Sequence, residues 1–188
     1  MTRADDNRAP PPFSHKELRE ALGLFPTGVA IITTIVDSIP IGTTVSSFNS
    51  VSLDPPLVLF SIAKNAAALN AWKIANEFAI NLLGEDQSQL SNRFARPLTD
   101  KWDGIEPVFA QAIHAPLIPG ALGWLECESY AQHDGGDHII FLGRVVAIRT
   151  RSVPAARPLV FFGSRYRQLD PDRKLDTPDD ADHWLHGW

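Results

Sequence analysis

Hydroxyl side chains are concentrated in residues 42–56 of this sequence, which read GTTVSSFNSVSLDPP. The intervening residues have the apolar, β-branched pattern of a buried strand, and in an extended chain alternate side chains point to opposite faces. Small hydroxyl groups let a planar or anionic ligand approach the backbone closely. One face of this predicted strand is therefore a candidate binding wall, formed by Thr44, Ser46, Phe48, Ser50 and Ser52. An antiparallel strand with cross-strand hydroxyl pairs has the same pattern, so the segment alone favours a binding site only slightly.

Motifs of the common catalytic classes are absent from the sequence. It contains no G-x-S-x-G, no G-x-x-x-x-G-K-[ST], no C-x-x-C, no H-E-x-x-H and no G-x-G-x-x-G, which argues against a Rossmann dinucleotide fold. His133, Asp134, Asp137 and His138 surround one predicted turn. A metal site there is the weaker interpretation, because a tight hairpin directs alternate side chains apart. An organic cofactor that carries the reaction itself would explain a hydroxyl-lined wall without an acid–base pair.

The composition is that of one globular domain. The chain has 188 residues, 44% of them hydrophobic and 21% charged, with a formal net charge of −5. Without a clustered basic excess, a nucleic-acid surface is not expected. The single cysteine, Cys127, excludes an intramolecular disulfide and fits a reducing compartment. Because the first residues are charged and proline-rich rather than apolar, we expect a soluble, cytoplasmic protein.

The pattern of elements predicts a mainly β domain with short helices. Ser14 and Glu17 have the spacing of a capping box ahead of a short amphipathic helix. Strands are predicted at 29–36, 42–53, 57–62, 77–83, 121–133 and 138–150, helices at 66–75 and 86–95, and a long loop between 96 and 120 that covers a site or a subunit contact. We expect an antiparallel barrel at 13–169, preceded by a flexible arm at 1–12 and followed by an acidic extension at 170–188.

Six blocks of sequence, in order, resemble the flavin reductase-like domain family. They are FPTGVAIITT (25–34), GTTVSSFNSVSLDPPLVLFSI (42–62), EFAINLL (77–83), SNRFA (91–95), GGDHIIFLGRVV (135–146) and PLVFFGSRY (158–166). The resemblance covers about residues 14–169. It implies a split β-barrel that binds FMN or FAD, works as a homodimer, and reduces the flavin with NADH or NADPH for a partner oxygenase.

The resemblance also implies site residues. Gly42, Thr43, Thr44, Ser46 and Ser47 would line the flavin ring system, while Ser61, Ile62 and Ala63 would face the ribityl chain and phosphate. Arg93 and Phe94 would lie on the phosphate side, and His138 would be the catalytic histidine beside the nicotinamide. Arg157, Pro158, Leu159, Val160 and Tyr166 would follow the nicotinamide nucleotide.

One segment departs from the family pattern. Where the family commonly has hydroxyl residues for the flavin phosphate, this chain has Ala66, Ala67 and Ala68, with Lys64 as a nearby cation. Ala67 and Ala68 are among the expected cofactor contacts. These alanines offer only backbone N–H groups to a phosphate. Two alternatives therefore remain open: a non-catalytic flavin carrier or sensor, and a flavoprotein that passes electrons to iron or another acceptor.

Overall fold

The computed structural model describes residues 11–97, 100–151 and 157–170. The predicted arm at 1–12 and the predicted acidic extension at 170–188 therefore lie almost entirely outside the described residues.

Short helices alternate with strands along the chain. The helices are α1 (His15–Leu22), α2 (Leu69–Ile74) and α3 (Ser88–Ala95), and a 3₁₀ helix at Glu85–Gln87 leads into α3. The strands are β1 (Thr27–Gly28), β2 (Ala30–Val36), β3 (Ile39–Val45), β4 (Asn49–Leu53), β5 (Pro56–Ala63), β6 (Glu77–Leu82), β7 (Val108–Phe109), β8 (Pro116–Leu117), β9 (Gly123–Gly135), β10 (His138–Thr150), β11 (Val160–Phe162) and β12 (Arg165–Arg167). The capping box before α1 is confirmed, with the Ser14 side chain accepting from the Glu17 backbone N–H.

One antiparallel sheet dominates the described residues. Its seven strands have the order β3-β2-β6-β9-β10-β5-β4. The long hairpin of β9 and β10 forms its centre, and Gly136 at the turn has a φ of +84°, which favours glycine. The Ser47 hydroxyl accepts from the Ser61 backbone N–H at 3.0 Å, which brings the end of β3 near β5. The sheet therefore curls without closing, and the predicted split barrel with short helices is the observed architecture.

The hydroxyl-rich stretch is not a single strand, contrary to the sequence prediction. It divides into β3 and β4, which are the two edge strands of the seven-stranded sheet, and residues 46–48 between them are not in a strand. β3 pairs with β2, whereas β4 pairs with β5. The chain must therefore cross the mouth of the curled sheet between Val45 and Asn49, and side chains before and after this crossing do not share one face.

The main core lies inside the curl of the sheet. Phe60 is fully buried, stacks on Phe141, and contacts Trp72 and Phe78 edge to face. On α2, Trp72 is buried, whereas Ile74 is 62% exposed. The reason is that α2 has only six residues and ends at this position, so only one of its faces meets the core.

Strand side chains tether the loop that was predicted at 96–120. The buried Glu126 carboxylate accepts from the backbone N–H groups of Gln111 and Ala112, at 3.0 and 2.7 Å. The Asn81 side chain accepts from the Ile118 N–H at 2.7 Å. The later part of this loop therefore packs on the sheet, while its beginning is free to contribute to a cavity.

Candidate functional site

A cavity of about 310 Å³ lies where the end of β3 faces the end of β5. It is lined by Thr43, Thr44, Val45, Ser46, Ser47, Ser61, Ile62, Ala63, Ala66 and His138. We call it the hydroxyl-lined cavity. Eight of the predicted site residues meet here, although they come from three separate segments of the sequence.

The hydroxyl groups of this cavity fall into two sets. Thr44 donates to the Ser91 carbonyl at 2.7 Å, and Ser47 accepts from the Ser61 N–H, so the fold already uses both. Thr43, Ser46 and Ser61 have side-chain hydroxyls without a hydrogen-bond partner among the described residues. These three hydroxyls are the donors and acceptors that the cavity can offer to a ligand.

His138 is the ionisable residue of the cavity lining. It begins β10, and its Nδ1 lies 2.7 Å from Asp137 Oδ1. The hydrogen bond from His138, together with its charge, holds the pKa of Asp137 below its usual value. An ionised Asp137 accepts a hydrogen bond from Nδ1–H, which leaves Nε2 to interact with a ligand.

A second, larger cavity of about 530 Å³ adjoins the first, and the two share Thr43 and Ala66. Its lining comprises residues 39–43 of β3, residues 65–68 and Trp72, residues 95–97 after α3, and Lys101 and Trp102. We call it the tryptophan-lined cavity. The indole N–H groups of Trp72 and Trp102 are both buried and have no hydrogen-bond partner among the described residues.

Lys101 links β3 to the end of α3 at the tryptophan-lined cavity. Its Nζ donates to the carbonyls of Gly42 and Phe94 at 3.0 and 2.9 Å. Burial lowers the pKa of Lys101. An ammonium group has three N–H donors, so one remains for a ligand.

Gly42 and Phe94 lie against each other where β3 meets α3. A Cβ at Gly42 would lie under 3.0 Å from the Phe94 ring, and Phe94 is fully buried with its ring edge to face with Trp102. The Phe94 side chain therefore packs against β3 from behind, and its place on the phosphate side stays a prediction. The backbone of Gly42 does line the larger cavity.

Arg93 does not line either cavity. Its guanidinium donates to the Asp103 carbonyl at 2.7 Å. Arg96, one turn later, does line the tryptophan-lined cavity and has no hydrogen-bond partner for its side chain among the described residues. Lys64, the other expected cation, lies 2.6 Å from Asp134. The structure therefore favours Arg96 and Lys101 as the cations available to a phosphate.

The predicted nicotinamide-nucleotide residues lie outside the hydroxyl-lined cavity. Leu159 and Val160 are buried in the core, while Pro158 forms a bridge with Gly84. Arg157 Nη1 lies 3.4 Å from Glu85 Oε1, and the Tyr166 hydroxyl lies 2.8 Å from Ser91 Oγ. These residues do not line the hydroxyl-lined cavity; Leu159 and Tyr166 flank a separate cleft of about 370 Å³.

Sequence reasoning missed the residues Arg96, Lys101, Trp102 and Trp72 of the tryptophan-lined cavity. The helical periodicity of 66–75 could not indicate Trp72, because it shows which face of a helix is buried and not what adjoins that face. A signal for the others was present: two basic residues and a tryptophan at the start of a loop that was already expected to cover a site.

The described residues contain neither a membrane-spanning helix nor a cluster of metal-ligating side chains. None of their helices is long and apolar enough to cross a membrane. No group of three or more His, Cys, Asp or Glu side chains among them could hold a metal ion.

Comparisons with known proteins agree on one family. Residues 22–170 match the model of the flavin reductase like domain. The reductase subunit HsaB of a flavin-dependent monooxygenase from Rhodococcus jostii is 36% identical over 172 residues, which are 90% of this chain and 87% of the relative. The FMN reductase (NADH) SmoA from Agrobacterium fabrum is 42% identical over 151 residues, covering 80% and 84% of the two chains.

A solved structure extends the similarity to the fold. The NADH:FAD oxidoreductase SgcE6 from Streptomyces globisporus, in complex with NAD and FAD fragments, superimposes with a TM-score of 0.80 at 36% identity. The match covers 89% of this chain and 99% of that protein. With the sequence blocks, the curled sheet and these matches together, the chain belongs to the flavin reductase like domain family.

Proposed function

We propose that this protein reduces FMN or FAD with NADH or NADPH and releases the reduced flavin to a partner oxygenase. The observation that carries the proposal is the hydroxyl-lined cavity, where Thr43, Ser46 and Ser61 keep unpaired hydroxyls beside His138. Relatives named as reductase subunits of flavin-dependent monooxygenases support the same activity. Relatives named for NADH support NADH as the electron donor.

The residues of the site fit a flavin. The unpaired hydroxyls of Thr43, Ser46 and Ser61 suit the heteroatoms of a polar planar ring. Arg96 and Lys101 supply positive charge at the far end of the same groove. When bound, the flavin accepts a hydride from the nicotinamide, and NADH, a proton and the oxidised flavin become NAD⁺ and the reduced flavin.

The protein has little covalent chemistry to perform in this reaction. Hydride transfer between two stacked rings depends on proximity and orientation and needs no side-chain base, which agrees with the absence of a catalytic triad motif. His138 would orient the nicotinamide: with Nδ1 held by Asp137, its Nε2 would interact with the carboxamide. The free hydroxyls of Thr43, Ser46 and Ser61 position the flavin ring.

The protein acts as a cytoplasmic homodimer in this proposal. All residues of α1 are at least partly exposed, and with the following turn it presents a group of exposed apolar side chains: Leu18, Leu22, Leu24 and Phe25. Exposed apolar patches of this kind are typical of surfaces that bind another protein. Light scattering coupled to gel filtration measures the mass in solution, and a single-chain mass at micromolar concentration would contradict the homodimer.

The activity is tested by following NADH and NADPH oxidation on addition of FMN, FAD or riboflavin. We expect consumption that depends on flavin concentration and continues for many turnovers. If no flavin accelerates NADH or NADPH oxidation above the blank, the proposal is wrong. A tightly held flavin that NADH cannot reduce under anaerobic conditions would instead support a carrier or sensor. Slow flavin release with fast ferric reduction would support electron transfer to iron.

A further inference from the structure

The two cavities form one groove along β3. The strand runs from Ile39, in the tryptophan-lined cavity, to Val45, in the hydroxyl-lined cavity. At about 3.3 Å per residue, the strand gives the groove a length of roughly 20 Å. The hydroxyl-lined cavity, with the proposed nicotinamide residue His138, can hold only the ring end of a flavin, so the rest of the flavin must extend along β3.

We propose that this chain selects FAD over FMN, and that the tryptophan-lined cavity binds the adenylate half of FAD. This inference rests on the proposed flavin reductase function. A mononucleotide with its ring in the smaller cavity ends near residues 65–68, where the two cavities meet. It leaves the larger cavity, of about 530 Å³, unfilled.

The polar atoms of the larger cavity match an adenylate. Trp72 is 1% exposed, and its indole N–H and that of Trp102 have no hydrogen-bond partner among the described residues. Because both N–H groups lie below the accessible surface, the two tryptophans contribute ring surface to the cavity wall rather than donors to a ligand. Lys101 retains one N–H donor and Arg96 an unpaired guanidinium, so the same cavity offers two cations for the pyrophosphate.

The segment at the junction of the cavities gives FMN little additional affinity. Residues 66–68 are all alanine, so a terminal phosphate there meets backbone N–H groups without side-chain hydroxyls. The Ala66 N–H is already bonded to the Ala63 carbonyl at 3.0 Å. Affinity for the flavin must then come from the part of the ligand that lies beyond this turn, which FAD has and FMN lacks.

Family membership alone does not decide between the two flavins. One relative is named as an FMN reductase, and the similar solved structure is an NADH:FAD oxidoreductase. The preference for FAD or FMN must therefore depend on side chains that differ between family members. In this chain we assign it to Arg96 and Trp102.

The first test measures dissociation constants for FAD and FMN by fluorescence titration in the absence of NADH. We expect FAD to bind about ten-fold or more tightly than FMN, since a charge-assisted hydrogen bond contributes about this factor. Equal affinities, or tighter binding of FMN, would overturn the inference. Such a result would leave the proposed function intact if either flavin still supports NADH oxidation.

Variants assign the preference to the tryptophan-lined cavity. Arg96→Gln should reduce the ratio of FAD affinity to FMN affinity by about ten-fold. Trp102→Phe, which replaces the indole of the cavity wall by a smaller ring, should reduce this ratio by about two- to ten-fold. The matched control is Arg144→Gln on the outer face, where the guanidinium lies over the Tyr130 ring, and its ratio should equal that of the wild type. An unchanged ratio in both cavity variants would overturn the assignment.

A competition experiment tests the adenylate site directly. ADP should displace bound FAD but should leave riboflavin bound, because riboflavin does not extend into the larger cavity. If ADP displaces neither flavin, or displaces both equally, the adenylate assignment is wrong. If the wild-type protein binds no flavin at all, the proposed function itself is wrong.

Discussion

Individual side chains at the hydroxyl-lined cavity differ in whether the fold already uses their polar atoms. Thr44 and Ser47 are bonded to the backbone of Ser91 and Ser61, whereas Thr43 and Ser46 remain available. All four are equivalent in the sequence pattern, and they lie within five positions of one another. The sequence could predict that hydroxyls gather here, but not which of them bind a ligand, because that depends on partners tens of residues away.

His138→Ala tests the proposed contact with the nicotinamide. We expect hydride transfer in single-turnover reduction to become about ten-fold slower or more, because the hydrogen bond that positions the nicotinamide is lost. The dissociation constant of the flavin should stay near that of the wild type. The matched control is His133→Ala, an exposed histidine of the same hairpin that lies outside both cavities. Weakened flavin binding with an unchanged reduction rate would contradict this role of His138.

At the scale of elements, periodicity alone did not predict how the hydroxyl-rich stretch divides. The stretch at 42–56 was predicted as one strand because apolar and hydroxyl residues alternate through it. The break at 46–48 carries no glycine or proline to mark it. It arises because β3 and β4 are edge strands on opposite sides of the sheet, and strand pairing of this kind is decided by the whole chain. The hairpin of β9 and β10 was predicted correctly, since its turn is local and contains two glycines.

Gly42→Ala tests the packing of β3 against α3. The added methyl group would collide with the buried Phe94 ring, and overpacking of this kind costs about 1–3 kcal/mol. Chemical denaturation should show this loss, together with weaker flavin binding, because the ring supports the wall of the larger cavity. Gly28→Ala is the matched control, since a Cβ there would meet nothing within 4 Å. Equal stabilities for the two variants would contradict this account of Gly42.

For the molecule as a whole, the order of the sequence blocks was sufficient to predict a mainly β split barrel. It could not predict the tryptophan-lined cavity, because that cavity is assembled from β3, α2 and the start of a loop with no regular pattern. Nor could it separate Arg93 from Arg96. The two arginines are three positions apart at the end of α3, and only the path of the following chain places Arg96 at the groove and Arg93 beside Asp103.

The stability of the whole domain should fall at alkaline pH because of Cys127. Burial, with a smaller contribution from the charge of Glu126, raises the pKa of this thiol from 9.0 to about 12. Between these values the unfolded chain loses the thiol proton and the folded chain keeps it, so the free energy of unfolding decreases as the pH rises, by at most about 1.4 kcal/mol per pH unit.

Urea denaturation at a series of pH values measures this dependence. Cys127→Ala removes the titrating group and should show a shallower decrease above pH 9.0, whatever its stability at neutral pH. Parallel curves for the two proteins would mean that Cys127 does not contribute. The folded protein should also resist thiol reagents at neutral pH, since the thiolate is the reactive form.

The crossing between β3 and β4 makes the resistance of the protein to unfolding and proteolysis depend on flavin. The binding groove exists only where β3, at one edge of the sheet, approaches β5 near the other edge. A partly unfolded chain therefore has no groove. A flavin can then bind only the native state. At a free flavin concentration roughly one hundred times its dissociation constant, binding raises the free energy of unfolding of the protein by about 2.7 kcal/mol. A cell rich in flavin would thus protect this reductase from proteases, and flavin starvation would shorten its lifetime.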